Sequence, residues 1–267
     1  MSRIREMFDS IDGGALVAYV MGGDPDLQAS MRVAEAVLRG GADIIELGIP
    51  FSDPIADGRS IQAAGLRALK SGTKPADVFR IVSHVKKTHD VPVVVMTYFN
   101  PILARGPSAF LDAARISGVD GVIVPDLPLD EAQKFGGMAR AREIDSVLLA
   151  APTTGEERMK EIVANTSGFL YLVSVLGVTG AREKLKENTA RLIKFANRFT
   201  RGKVPLAVGF GISKPEHVRA VIGAGADAVI VGSAIVDRVS SIDSGEDGAL
   251  GRIEAYVRSM KLAARSA

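Results

Sequence analysis

Short apolar runs alternate along this chain with longer segments in which apolar residues recur at helical spacing. Continuous apolar runs of this length are typical of strands buried on both faces, as in a parallel sheet. Eight runs fit this description: ALVAYVM (15–21), DIIELGI (43–49), PVVVMTY (92–98), GVIVPD (121–126), SVLLAA (146–151), FLYLVSV (169–175), VPLAVGF (204–210) and DAVIVGS (227–233).

The segments between the runs have the periodicity of amphipathic helices. In DLQASMRVAEAVLRGG, one helical face collects five apolar residues, and Gly40 and Gly41 end the helix: Leu27, Met31, Ala34, Val37 and Leu38. In SKPEHVRAVIGAG, Ser213 is the expected N-cap and Gly223 lies near the end. The first residues, 1–12, predict an extra helix, with Ile4, Met7, Phe8 and Ile11 on one side.

Eight β-α units in this length predict an α/β fold, a single (β/α)8 TIM barrel with an N-terminal extra helix. An open doubly wound sheet is the alternative, but its G-x-G-x-x-G turn is absent from MGGDPD after the first run. No linker divides the chain, so residues 1–267 are predicted to form one domain. Residues 240–248 predict a surface loop before a short C-terminal helix.

A weak internal repeat supports the barrel. The stretches GGADIIELG, SGVDGVIVP and AGADAVIVG share Gly-x-Asp followed by a strand. In a barrel, these aspartates begin strands at the N-terminal face, where residues serve stability rather than catalysis. We therefore predict structural roles for Asp43, Asp120 and Asp227.

Composition narrows the class of protein. The net charge is +2, which does not favour a nucleic-acid or anionic-membrane surface. The absence of cysteine excludes disulfides and thiolate chemistry from the chain. The N-terminus MSRIREMFDSIDGG has no apolar segment of a signal peptide, and we expect a cytoplasmic location.

A carboxylate interrupts the second apolar run. Strand alternation places Glu46 with Ile44 and Gly48 on one face, and the bulkier residues suit the outer face, so Glu46 is predicted to point into the barrel near its C-terminal end. Active sites of such barrels lie at that end. An inner-layer salt bridge is the alternative. Asp57 follows in the loop SDPIADG, where a catalytic role and a turn-forming role are equally open.

Three glycine-containing loops follow the last three predicted strands: GVTGAR, GFGIS and VGSAI. Glycine-rich turns that lead into helices present backbone N–H groups to anions, and the last two loops form the recurrent phosphate site of these barrels. The candidates are Gly180, Gly211, Gly232 and Ser233. The alternative is that glycine only permits the tight turns.

The residues that Schiff-base or metal-dependent catalysis would require are not found at the expected positions. No predicted strand ends in a lysine for a Schiff base, and His84, His89 and His217 are predicted to be solvated on helices, without metal-site spacing. The residues predict a phosphate-binding barrel that uses carboxylate acid–base chemistry without a metal, either a lyase or an isomerase.

The motif ELGIPFSDPIADG, followed by IQAAGLRAL, closely resembles the signature of the tryptophan synthase alpha subunit family and is highly specific. The resemblance covers nearly the whole chain. The further motifs AYVMGGDPD, MTYFNPI, VPDLPLDEA, YLVSVLGVTGAR, GFGIS and VGSAIV occur in the family's order. The resemblance implies a retro-aldol lyase that cleaves indole-3-glycerol phosphate to indole and glyceraldehyde 3-phosphate.

The resemblance also implies roles for individual residues. Glu46 matches the general acid–base, and Asp57 matches the carboxylate that stabilises charge at the indole N–H. Gly180, Gly211, Gly232 and Ser233 match the phosphate site. Eight residues match the indole pocket: Tyr19, Met96, Ile123, Leu149, Tyr171, Thr179, Phe210 and Ile230.

The resemblance implies a partner as well. Five residues match the surface that docks a beta subunit in an alpha2beta2 heterotetramer: Asp53, Pro54, Asn100, Pro101 and Pro128. Pyridoxal phosphate is expected on that partner and no cofactor on this chain. Val175, Arg59 and Gly65 depart from common family residues. A sugar-phosphate epimerase or isomerase, and a barrel without activity kept as a partner subunit, are the alternatives.

Overall fold

Parallel strands surrounded by helices form the architecture of this computed structural model, which describes residues 2–173, 182–209, 211–241 and 247–266. The strands are β1 (Ala15–Met21), β2 (Ile44–Gly48), β3 (Val93–Met96), β4 (Gly121–Ile123), β5 (Asp145–Val147), β6 (Leu149–Ala150), β7 (Leu170–Val173), β8 (Leu206–Gly209) and β9 (Ala228–Val231). They pair in parallel in the order β5-β4-β3-β2-β1-β9-β8-β7-β6. This is the predicted (β/α)8 barrel.

The barrel closes through its fifth strand position, which two short segments share. β5 pairs with β4, and β6 pairs with β7. The sequence predicted one continuous strand over 146–151, but Leu148 interrupts it, and its N–H donates to Thr166 Oγ1 at 3.0 Å. Eight strand positions therefore surround the axis.

Helices cover the outside of the barrel. They are α1 (Arg3–Ser10), α2 (Leu27–Arg39), α3 (Arg59–Lys70), α4 (Pro75–Thr88), α5 (Phe99–Arg105), α6 (Pro107–Ser117), α7 (Leu129–Arg140), α8 (Glu156–Asn165), α9 (Arg182–Thr200), α10 (Pro215–Gly223), α11 (Ser233–Val239) and α12 (Asp247–Arg265). In the described part of the chain, none is both long and apolar enough to cross a membrane.

Three helix predictions need correction. The N-terminal helix is confirmed but is shorter than 1–12, because Ser2 caps it and it ends at Ser10. The N-cap of α10 is Lys214 rather than Ser213, since Pro215 takes the first helical position, where its missing N–H costs nothing. The C-terminal helix is not short and begins inside the predicted 240–248 loop, at Asp247. Residues 242–246 of that loop lie outside the described residues.

Two apolar layers follow from strand alternation. Ile45 and Leu47 belong to the outer core between barrel and helices, whereas Ile44 belongs to the inner core. The inner core is sealed at the N-terminal end by α1, whose Ile4 is fully buried against it. A Cβ on Gly121 would lie 2.9 Å from Ile4 Cδ1, so the glycine admits this side chain.

The Gly-x-Asp repeat performs the structural role that the sequence predicts. The Oδ2 atoms of Asp43, Asp120 and Asp227 each accept a backbone N–H from the first or second residue of a neighbouring strand: Leu16, Val93 and Leu206, each at 2.7 Å. Two of the three carboxylates also hold a lysine. Lys261 Nζ lies 2.6 Å from Asp43 Oδ2, and Lys86 Nζ lies 2.8 Å from Asp120 Oδ2. The N-terminal end of the barrel is thus held by paired charges.

Candidate active site

Glu46 points into the C-terminal half of the barrel, as strand alternation predicts. It lies beside Tyr19 on β1 and Val94 on β3, and only 1% of the residue is exposed. Within the described residues, its Oε2 is buried without a hydrogen-bond partner. Burial, and then the negative charge of Asp57, raise the pKa of Glu46 to about 8. The alternative role for Glu46 was an inner-layer salt bridge. In the described part of the chain, no cationic side chain forms a salt bridge with Glu46.

Asp57 lies in the loop between β2 and α3. Its N–H donates to Pro54 O at 3.1 Å, and its carbonyl accepts from Gln62 Nε2 at 2.9 Å. Burial raises the pKa of its carboxyl to about 6, and a hydrogen bond from Tyr98 opposes that rise. The negative charge of Asp57 also contributes to the raised pKa of Glu46. An acid kept protonated near neutral pH and a second acid that ionises more readily can divide proton transfer and charge stabilisation between them.

Two tyrosines occupy space that two glycines leave open. A Cβ on Gly48 would lie 2.2 Å from Tyr19 Oη, and a Cβ on Gly209 would lie 2.5 Å from Tyr171 Oη. The Tyr19 hydroxyl also lies 3.9 Å from Met21 Sδ, a weak acceptor. Burial first, and then the Glu46 and Asp57 charges, raise the pKa of both hydroxyls, so both stay protonated. They are neutral donors beside the carboxylates.

Of the eight predicted indole-pocket residues, some lie on the barrel wall and the others lie in segments outside the described residues. Tyr19 and Ile230 are buried, Ile123 is fully enclosed in the inner core, and Met96 and Leu149 are half-buried. Tyr171 is also half-buried. Thr179 and Phe210, and Val175 among the departures, lie outside the described residues. Ile61 and Gly65 of α3 line the same cleft as Tyr19, Asp57 and Met96, and this contribution of α3 was not predicted.

The phosphate candidates lie where the predicted barrel requires them, apart from Gly180, which is outside the described residues. Gly211 follows β8 with φ +71°, a conformation that favours glycine. Gly232 caps α11, and Ser233 is its exposed first residue. The first N–H groups of a helix have no partner within it, so this turn can offer donors to an anion.

The predicted docking residues lie on the same end of the barrel, after β2, β3 and β4. Asp53, Asn100 and Pro128 are exposed, and Pro54 and Pro101 are half-buried. Two apolar side chains beside them are also exposed: Ile55 by 83% and Leu103 by 51%. Arg59, one of the departures, is exposed at the first position of α3. This end therefore has a surface with apolar residues next to the carboxylate-bearing loop.

Sequence reasoning missed Tyr98. It follows β3, its hydroxyl accepts the Ala56 N–H at 3.0 Å, and only 3% of the residue is exposed. Strand alternation could have found it, since Val94, Met96 and Tyr98 share the inward parity that located Glu46.

The histidines lie away from these groups. They are half-buried rather than fully solvated, and His84 Nε2 is 2.7 Å from Glu35 Oε1. Among the described residues, no group of three or more potential ligands could hold a metal ion.

Comparison with known proteins gives one consistent result. A family model for the tryptophan synthase alpha chain matches residues 8–265. The tryptophan synthase alpha chain of Methanoregula boonei is 45% identical over 264 residues, 99% of each chain. That of Methanothermobacter thermautotrophicus is 43% identical over 261 residues, 98% of this chain and 96% of the relative. A chain from the tryptophan synthase α2β2 complex of Pyrococcus furiosus has a TM-score of 0.86 at 44% identity and covers 94% of this chain and 98% of its own.

Proposed function

The chain belongs to the tryptophan synthase alpha chain family, and from that premise we propose that Glu46 and Asp57 carry the family's reaction here. The family consists of carbon–carbon lyases that cleave indole-3-glycerol phosphate to indole and glyceraldehyde 3-phosphate by a retro-aldol reaction. One observation supports the assignment above all. The negative charge of Asp57 raises the pKa of Glu46 at the C-terminal end of the barrel, and Glu46 has a buried oxygen with no partner in the described residues.

Glu46 begins the reaction as an acid. Its pKa of about 8 keeps it protonated at neutral pH, and it donates that proton to C3 of the indole. The C3–H bond forms, and the ring becomes a positively charged indoleninium. That cation is an electron sink within the substrate, so bond cleavage needs no separate sink.

Glu46 then acts as a base. Its carboxylate takes the proton from the hydroxyl on the carbon attached to C3. The O–H electron pair forms the aldehyde C=O, the C3–C bond breaks, and its electron pair neutralises the indoleninium. Indole and glyceraldehyde 3-phosphate leave, and Glu46 is again protonated. A positioned acid–base group of this kind contributes roughly 10²–10⁴-fold.

Asp57 stabilises the charge that develops between these steps. With a pKa of about 6 it is largely ionised at neutral pH, and its anion faces the positive charge developing on the indole ring and its N–H. Burial strengthens this attraction because the surrounding medium screens it less than water does. The aromatic ring would lie among Tyr19, Met96, Ile123, Leu149, Tyr171 and Ile230, with Thr179 and Phe210 as further predicted contacts.

The phosphate would be bound by the loops after the last strands of the barrel. Gly211, Gly232 and Ser233, together with Gly180, are the proposed contacts, chiefly through backbone N–H groups. The loops after β8 and β9 hold the phosphate in many barrels of this class.

The proposal includes the partner and the setting. The P. furiosus relative assembles as an α2β2 complex, and we assign docking of a beta subunit to Asp53, Pro54, Asn100, Pro101 and Pro128. Members of this family use no cofactor of their own, and pyridoxal phosphate belongs to the beta subunit, which would receive the indole for L-tryptophan synthesis. One domain over residues 1–267 and a cytoplasmic location complete the proposal.

Indole release tests the function directly. The purified chain is incubated with indole-3-glycerol phosphate, alone and with a beta subunit, and indole is measured. We expect indole from the unaltered chain, and losses of two orders of magnitude or more for Glu46→Gln. Asp130→Asn, which alters an exposed carboxylate at the start of α7, is the control and should keep its rate. No indole under either condition would refute the proposal.

A further inference from the structure

Tyr98 connects the end of β3 to the loop that carries Asp57. We propose that Tyr98 is a positioning residue for Asp57. The Tyr98 hydroxyl accepts the Ala56 N–H and donates its own proton to the Asp57 carboxylate. This inference rests on the proposed role of Asp57 in the reaction. It adds a residue to which the sequence analysis assigned no role.

The Tyr98 side chain is itself held firmly. The residue is 3% exposed, and its ring packs against Phe51 with centroids 5.4 Å apart and planes inclined by 32°. Asp126 Oδ1 accepts the N–H of Phe99, the next residue, at 2.8 Å, which fixes the chain after β3. A buried ring that packs on Phe51 and leads into a fixed backbone can place its hydroxyl reproducibly.

The hydroxyl then fixes the loop at two adjacent residues. Tyr98 Oη lies 3.0 Å from the Ala56 nitrogen and receives that hydrogen bond. The hydroxyl proton is not used by that bond, and we infer that it is donated to the neighbouring Asp57 carboxylate, in line with the lowering effect of Tyr98 on the Asp57 pKa. A phenol can accept and donate at once, which a phenylalanine in the same position cannot.

The loop needs this support because its other face is open. Ile55 is 83% exposed, and Ala56 is also exposed. Backbone hydrogen bonds within the loop, Ile55 N–H to Asp53 O and Asp57 N–H to Pro54 O, shape the turn but do not tie it to the barrel. Misplacement of a catalytic group by about 1 Å can cost on the order of 10²-fold in rate.

The electrostatic surroundings give the hydroxyl a second effect. The groups facing this site are Glu46 from β2, Tyr19 from β1, Tyr171 from β7 and Asp126 after β4. These groups are neutral or negative, and none favours the ionised form of Asp57. In the described residues, the Tyr98 hydrogen bond is the interaction that lowers the Asp57 pKa against burial.

Tyr98→Phe tests the proposal, because it removes the hydroxyl and keeps the ring on Phe51. The pKa of Asp57 is followed by NMR of the labelled carboxyl carbon, and the pH dependence of kcat for indole release is measured in parallel. We expect the Asp57 pKa to rise from about 6 by roughly one pH unit. At pH 6 the ionised fraction would then fall about fivefold, and kcat with it.

Tyr256→Phe is the matched control. The Tyr256 hydroxyl donates to Ser213 O at 3.1 Å, so this variant also loses one tyrosine hydrogen bond, away from both carboxylates. It should lower the thermal midpoint much as Tyr98→Phe does, and it should leave the Asp57 pKa where it is. An unchanged Asp57 pKa in both variants would overturn the proposal and make Tyr98 a packing residue.

A double-mutant cycle adds a second readout. If Tyr98 acts through Asp57, Tyr98→Phe lowers kcat in the unaltered chain but not in an Asp57→Asn background. Equal losses in both backgrounds would contradict the proposal. The NMR titration does not depend on turnover, so a failure of Asp57 as a catalytic residue and a failure of Tyr98 as its positioning residue give different results.

Discussion

Carboxylates at the two ends of the barrel differ in their partners. Asp43 and Glu46 are three residues apart at β2, one at the N-terminal end and one in the C-terminal half. Asp43 accepts a backbone N–H and pairs with Lys261. Glu46 is more deeply enclosed than Asp43, and within the described residues its Oε2 has no partner.

The difference shows how neighbouring positions on one strand divide stability from chemistry. A buried carboxylate is tolerated when a cation and N–H donors satisfy it, and removing one partner then leaves an uncompensated group. A buried carboxylate without them takes up a proton near neutral pH, which is what a general acid requires. Both the deeper burial of Glu46 and its lack of a cationic partner therefore distinguish the two ends.

Glu46→Gln should have the largest effect on activity and the opposite effect on stability. Loss of the acid–base group should lower kcat roughly 10²–10⁴-fold. Because the folded-state pKa of Glu46 is raised to about 8 from 4.5, the native protein loses stability as pH rises through that window. The variant should be more stable than the unaltered chain at pH 9, by roughly 3–5 kcal/mol, and equal to it at pH 4. Urea unfolding at both pH values and indole release measure these effects.

Asp43→Ala, at the N-terminal end of the barrel, should lower stability and leave kcat unchanged. It leaves the nearly buried ammonium of Lys261 and the Leu16 N–H without this partner, and we expect a cost of about 3–5 kcal/mol in the free energy of unfolding. Asp43→Asn, which keeps an acceptor oxygen, should cost less. The folded fraction of either variant should keep its kcat. A loss of kcat without a loss of stability would show that the two ends are not separate.

Gly48→Ala should disturb the tyrosine wall of the site. The new Cβ would lie 2.2 Å from Tyr19 Oη and 2.8 Å from its Cζ, so the ring must shift. We expect a cost of about 1–3 kcal/mol from this overpacking, and a raised KM. Tyr19→Phe should relieve part of the cost, because it removes the nearest atom. Gly137→Ala, where a Cβ meets nothing within 4 Å, is the control and should not destabilise. Equal stability for both alanine variants would contradict the close approach of the Tyr19 ring to Gly48.

The pH dependence of kcat should show the smallest effect. Activity requires ionised Asp57 and protonated Glu46, so the rate should rise as pH increases through about 6 and fall as it increases through about 8. Asp43→Asn, at the paired end, should leave both limbs in place. A rate that keeps rising above pH 9 would mean that the protonated form of Glu46 is not the active one.

The sequence predicted the barrel from its strand pattern, and it missed what depends on distant side chains. The first strand occupies 15–21, as predicted. The break at Leu148 was not predictable from periodicity, because it depends on the hydroxyl of Thr166, eighteen residues later. The C-terminal helix appeared short because its N-terminal part follows a polar segment, although Ile253, Val257 and Met260 bury one face of it.

The candidate site also divides into residues that the strand pattern predicted and residues whose roles depend on distant side chains. Strand alternation was enough to turn Glu46 inward, since its neighbours Ile45 and Leu47 had to face the helices. Asp57 could not be separated from a turn residue by spacing, because its surroundings come from burial and from Tyr98, which follows a different strand. The roles of Gly48 and Gly209 could not be predicted from the sequence. The space that they leave open is occupied by Tyr19 and Tyr171, which come from other strands.

The most direct test of the contrast between paired and unpaired carboxylates is an NMR titration of Glu46 in the unliganded chain, with the signal assigned by its loss in Glu46→Gln. A midpoint near 8 is predicted, well above the ordinary 4.5. A midpoint near 4.5 would contradict the account, because Glu46 would then be an ionised group at neutral pH with no proton to give to indole C3.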